Sequence, residues 1–243
     1  MKQTILLVAF FLITNLAFAQ FGVTGRYHFN KAPDWVPIGE KDTSDPYKFL
    51  GNGWSVGLDY WMRLKNYRIE FLPELNVAQF KSEPNSKIPA VESFSNQFYS
   101  FFLNTNFYLF DFLGDCNCPT FSKQGQLLKK GFFLQISPGI TYLQNKVTIN
   151  QEAAPFNGDL YESSDWAVSI GAGAGLDIGL SDFVTITPMV SLRYFPAAKW
   201  DQLHSYSNIR EESLHVEESA IWQLSAGARL GFRLDYKSKG RRR

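Results

Sequence analysis

The chain holds little of what enzyme and metal chemistry requires. Its 243 residues include two cysteines and three histidines. The cysteines, Cys116 and Cys118, are one residue apart, and two ligands alone do not make a zinc site. No metal and no cofactor are expected. In an oxidising compartment the two thiols could join, although the spacing is tight for a disulfide. The formal net charge is +1, which lacks the basic footprint of a nucleic-acid-binding protein. The glycine row Gly171-Ala172-Gly173-Ala174-Gly175 lacks GxGxxG spacing and no helix signal follows it, which argues against a phosphate loop. Beyond the N-terminus there is no apolar run long enough for a membrane-spanning helix.

Residues 1–19 read as a secretion signal. Lys2 supplies the positive start, Ile5 to Leu16 the apolar stretch, and Ala17-Phe18-Ala19 the cleavage site, leaving Gln20 first. The apolar stretch is too short for a spanning helix, and no cysteine follows it to carry a lipid. The exported chain is therefore expected to be either soluble or a membrane barrel.

What is abundant decides between these. Aromatic residues make up 16% of the chain, and apolar and polar side chains alternate over long stretches. The last stretch puts Trp222, Leu224, Ala226, Ala228, Leu230, Phe232, Leu234 and Tyr236 on one parity. Gln223, Ser225, Gly227, Arg229, Gly231, Arg233 and Asp235 fall on the other. Successive side chains of a strand point to opposite faces, and aromatics flanking an apolar outer face mark a transmembrane barrel. Eight such segments are predicted: Phe21–Phe29, Gly53–Met62, Tyr67–Phe80, Gln97–Phe110, Phe132–Tyr142, Trp166–Leu180, Val184–Phe195 and Ala220–Tyr236. Pro73, Pro138 and Pro188 fall inside segments on the outward parity and predict local bulges or bends. Long polar connections (30–52, 81–96, 143–165, 196–219) alternate with short ones (63–66, 181–183), as outer loops alternate with periplasmic turns. The expected fold is all-β: an eight-stranded antiparallel up-and-down transmembrane β-barrel with a lumen filled by side chains. It would cover residues 20–236, followed by a basic periplasmic tail over 237–243.

Three groups of residues stand out. Arg26, Arg68, Arg193, Arg229 and Arg233 share the inward face with Asp59, Glu70, Glu74, Asp177 and Asp235. Eight strands leave an interior that side chains fill, and buried charges need partners, so a paired charge network is expected there. An ion or proton path is the alternative. The second group is the connection Asp111–Lys130, long for a periplasmic turn. Cys116, Cys118, Phe121, Leu127 and Leu128 within it predict a contact site for a partner. An inert loop is the alternative. Third, His28 could be combined at the outer rim with Ser205 or Ser213 and Glu211 or Glu212 as a hydrolase set, but no motif supports that combination.

The mature chain resembles the small outer-membrane barrels of Bacteroidota grouped as PorT-like. The resemblance lies in the signal end with Gln20 first and in Phe21-Gly22-Val23-Thr24-Gly25. It lies also in Phe132-Phe133-Leu134-Gln135-Ile136-Ser137-Pro138-Gly139 and in the repeated Gly227-x-x-Leu230-x-Phe232 and Gly231-x-x-Leu234-x-Tyr236. It implies recognition by the barrel-assembly machinery during biogenesis and, from the founding members, a role in protein secretion. The leading expectation is a non-enzymatic structural or accessory protein of the bacterial outer membrane. Its partners would be outer-membrane lipid and a periplasmic or secretion-system protein. A lipid-modifying enzyme with a rim His/Ser/acid site and a small pore are the alternatives.

Overall fold

The computed structural model describes residues 20–35, 48–64, 67–82, 91–112, 127–149, 161–181, 183–200 and 218–233. Eight strands run through them. They are β1 Gln20–Lys31, β2 Gly53–Tyr60, β3 Ile69–Ser82 and β4 Val91–Phe107. β5 is Phe132–Ile149, β6 Tyr161–Leu176, β7 Val184–Lys199 and β8 Glu218–Arg233. β2 resumes after Trp61 as Met62–Arg63, and β6 resumes after Asp177 as Ile178–Gly179. Each resumes in the register it left. Every strand pairs antiparallel with the next, and β8 pairs with β1 from Gln20↔Arg233 to Lys31↔Trp222. The sheet closes on itself, which removes unpaired edges. Following the register once around the wall returns to β1 displaced by roughly ten residues, a stagger that goes with a strand tilt of about 40°.

The faces follow the parity. Leu58, Leu75 and Val168 are 61, 66 and 62% exposed on the outer wall, while Asp59, Glu74 and Ser169 point inward and are buried. An upper girdle is built by cross-strand neighbours: Tyr27 beside Trp54, Tyr99 beside Tyr142, Tyr142 beside Trp166, and Tyr194 beside Trp222. At the lower rim Phe21 stacks on Phe232 at 5.1 Å and Phe110 meets Phe132 at 5.7 Å. From Phe132 to Tyr142, at ~3.3 Å per residue and a ~40° tilt, the wall is about 25 Å tall. That is the height of the apolar band of an outer-membrane barrel.

The prolines do not bulge the wall. Pro73 pairs with Leu103 and Pro188 with Ala228 in unbroken register. At Pro138 the pairing with β4 lapses opposite Leu103 and Asn104 and resumes unchanged at Thr105↔Ile136. A missing N–H therefore costs ladder bonds but moves no register. The shifts between described strands lie instead near the outer tips, at Val91/Ser93 and Ser219/Ile221.

Several strands are longer at the outer end than the alternation predicts. β5 continues to Ile149, β4 begins at Val91, and β6 begins at Tyr161. The faces exchange character there. Above the upper girdle the outward residues are polar: Ser95 and Gln97 on β4, Gln144 and Lys146 on β5, Glu162 and Ser164 on β6. The inward residues are mostly apolar, with Phe94, Phe98, Leu143, Val147, Phe195 and Ile221 all buried, and Asn96 donates to Asn145 at 2.9 Å among them. Trp35, Phe49 and Leu50, from the connection after β1, and Trp200 after β7 complete this cluster. Phe49 meets Phe94 at 4.9 Å, Trp35 meets Trp200 at 5.5 Å, and Phe80 meets Phe98 at 4.8 Å. These parts of the predicted loops are strands because the wet headgroup layer and water, not hydrocarbon, bathe their outer face. The polar side then turns outward and the apolar side forms a core.

The lumen and its two ends as the candidate functional site

Beneath the aromatic cap the lumen is crossed by ion pairs. Arg26 on β1 reaches over β2 to Glu74 on β3 through two bonds of 2.5 and 2.7 Å. Gly57 lies beneath that bridge, and a Cβ there would collide with Glu74 Oε1. Asn104 and Asn76 also donate to Glu74, at 2.6 and 3.1 Å. Arg229 on β8 reaches over β1 to Asp59 on β2 with contacts of 2.5 to 3.0 Å. Gly22 lies under it and leaves the space the guanidinium fills. The bidentate fork of arginine suits such crossings, and each ties together strands that are not neighbours.

At the periplasmic end Arg68 pairs with Asp111 in the short 3-10 turn Leu109–Asp111. The Tyr108 hydroxyl lies 2.8 Å from Glu70 and 2.5 Å from Asp177, and Thr187 donates to Asp177 at 2.5 Å. The Arg68 guanidinium sits 4.1 Å from the Tyr108 ring centroid. Arg193 is held without a carboxylate. It donates to the Ser137 carbonyl at 3.1 Å, Ser137 Oγ at 2.6 Å and Ser169 Oγ at 2.9 Å. It also lies 3.6 Å over the Phe102 ring, a cation–π contact. A void of about 10 Å3 remains among Arg26, Asp59, Glu74, Arg229 and their neighbours, room for about one water.

The structure thus brings Arg26 to Glu74 and Arg229 to Asp59, and sets Glu70 and Asp177 around Tyr108. Arg68 pairs outside the expected set, with Asp111. Arg233 ends β8, and Asp235 lies outside the described residues. The glycine row of β6 makes room for large inward side chains: Gly175 faces the Phe133 ring and Gly171 faces Arg193. Phe102 rests over Gly139 of β5. Sequence reasoning missed Tyr108, Asp111 and the serines that hold Arg193. It also missed the aromatic cap, although the inward parity of Phe94 and Phe98 was there to be read.

His28 is buried inside the wall. Its Nδ1 is 2.6 Å from Ser225 Oγ and its Nε2 2.7 Å from Ser55 Oγ. Both ring nitrogens are occupied by hydroxyls, so neither is left for an orienting acid. Ser205, Glu211, Glu212 and Ser213 lie outside the described residues, as do residues 1–19, Cys116, Cys118, Phe121 and the tail. Of the long periplasmic connection, Leu127 opens a helical turn, α1 (Leu127–Gly131), and Leu128 on it is 67% exposed. The ends of this connection are tied down. Arg68 N–H donates to Phe112 O at 2.9 Å, and Asp177 N–H to Gly131 O at 2.9 Å.

No family model matches the chain, and no curated protein matches it. Among solved structures it is similar to a major outer membrane protein from Thermus thermophilus, with a TM-score of 0.46 and 12% identity over 88% of this chain and 99% of that one. Neisserial surface protein A matches with a TM-score of 0.40 and 12% identity over 88% and 97% of the two chains. OprG from Pseudomonas aeruginosa matches with a TM-score of 0.37 and 12% identity over 88% and 96%. The closed wall, the apolar band about 25 Å tall and the girdles at its two rims carry the assignment. The chain is an eight-stranded antiparallel β-barrel of the bacterial outer membrane.

Proposed function

We propose that the protein is a non-enzymatic barrel with a structural or accessory role. In this reading it is a filled anchor that displays segments on both sides of the membrane. The observation that carries the reading is the lumen. Two crossing ion pairs, with a void of about 10 Å3 between them, lie beneath a buried aromatic cap. Such a lumen suits bracing better than transport. In planar bilayers the purified protein is expected to show little conductance. Stable, large single-channel openings would overturn the reading in favour of a pore. His28, held between two serines, lends no support to a rim hydrolase.

An accessory role in secretion or envelope assembly rests on the PorT-like resemblance and on the Asp111–Lys130 connection. Leu128 within it is 67% exposed, and an exposed apolar group of this kind suits a covered surface. A periplasmic or secretion-system protein would dock there. Replacing residues 114–128 with a short Gly-Ser turn should leave a folded, inserted barrel that no longer co-purifies with its partner. Unchanged partners and growth would leave a plain connection.

A further inference from the structure

The outer wall carries a polar cleft that closing the barrel does not require. About 300 Å3 opens among Ser95, Gln97, Gln144, Lys146, Glu162 and Ser164, on the outward faces of β4, β5 and β6. Tyr142 lines it on the membrane side and packs against Trp166 at 5.0 Å. We propose that this cleft binds the saccharide headgroup of a glycolipid in the outer leaflet.

Position selects a lipid headgroup. The cleft lies on the lipid-facing parity, directly above the upper girdle, so the layer that meets it is the one in which headgroups sit. Charge selects a neutral, hydroxyl-rich group over a phosphate. Among the described residues that line it Lys146 is the cation, and Glu162 holds it at 3.1 Å. Phosphate recognition uses unmatched cations. The remaining polar groups are amides and hydroxyls, which both donate and accept, as sugar hydroxyls do. The Tyr99 hydroxyl donates to Gln97 Oε1 at 3.0 Å and orients that amide. Tyr142, which lines the cleft, offers an aromatic ring for the C–H face of a sugar. The volume lies at the lower end of that of small-molecule sites. The inference rests on the barrel's place in the outer membrane and not on its accessory role.

The test uses the full-length protein in lipid nanodiscs, titrated with two purified probes: core-bearing lipopolysaccharide and lipid A without core sugars. The wild type should bind the core-bearing lipid roughly tenfold more tightly, the net gain of one or two hydrogen bonds from the amides to the sugar hydroxyls. The double variant Gln97→Leu/Gln144→Leu should lose that preference while keeping its heat-modifiable mobility and its affinity for lipid A. Equal binding of both lipids by the wild type would overturn the proposal without any variant. So would an undiminished preference in the double variant. Free core oligosaccharide binding as tightly as the lipid-linked form would replace the membrane lipid with a soluble glycan as the ligand.

Discussion

Glu74 is 1% exposed inside the lumen, and three side chains share its charge: Arg26, Asn76 and Asn104. Removing one partner of a buried pair strands the other in a medium that solvates it poorly. Glu74→Ala should therefore cost about 3–5 kcal/mol, measured by urea unfolding in detergent micelles. Arg26→Ala combined with Glu74→Ala should cost clearly less than the sum of the two single changes, because the second removes a charge already stranded. A sum that adds up would mean the pair braces nothing. Gly57 belongs to the same unit. Gly57→Ala drives a methyl toward Glu74 Oε1 and should cost about 1–3 kcal/mol by overpacking, in the same unfolding assay. Arg193 shows a second way to keep a charge inside, with two serines and an aromatic face in place of a carboxylate.

Each strand of the wall is built on two environments. Leu103, outward on β4 and within the apolar band, meets lipid; Phe98, inward on the same strand, meets only other side chains. Leu103→Arg, near mid-membrane between Tyr99 and Phe107, should cost about 2–4 kcal/mol, and Phe98→Ala about 3–5 kcal/mol by leaving a cavity in the cap. Lipid-soluble quenchers should reach a label at 103 and not one at 98. Equal quenching would show the register to be wrong. The lower parts of these strands were legible because apolar and polar residues alternate against a fixed lipid face. The tips were not, because Ser95, Gln144 and Ser164 break the outward apolar series and read as loop. The inward series through Phe94, Phe98, Leu143 and Val147 runs on, interrupted by Asn96 and Asn145, which bond each other at 2.9 Å, but it is the signature of a water-soluble sheet. The charge network was legible as a set of residues on one parity. Its pairings were not, since Arg68 and Asp111 meet only when the short turn after β4 folds back under the lumen.

At the scale of the molecule, closure joins the first described strand to the last: β1 lies against β8 along its whole length. Unheated samples should therefore run at a shifted position in gels and boiled samples at the unfolded one, and the shift should be lost in variants that prevent β8 from pairing. Recovery as a soluble protein would contradict the barrel. The exchange of faces at the upper girdle has a consequence for depth of immersion. On β4 the change falls between Tyr99 and Gln97, on β5 between Tyr142 and Gln144, and on β6 between Trp166 and Ser164. Sinking the molecule by a single residue pair, about 5 Å along the membrane normal, would carry those amides and hydroxyls into hydrocarbon. Raising it by the same step would lift Tyr99, Tyr142 and Trp166 clear of the interface. The barrel thus has a waterline written into its wall, and a bilayer of different thickness must itself thin or thicken around it.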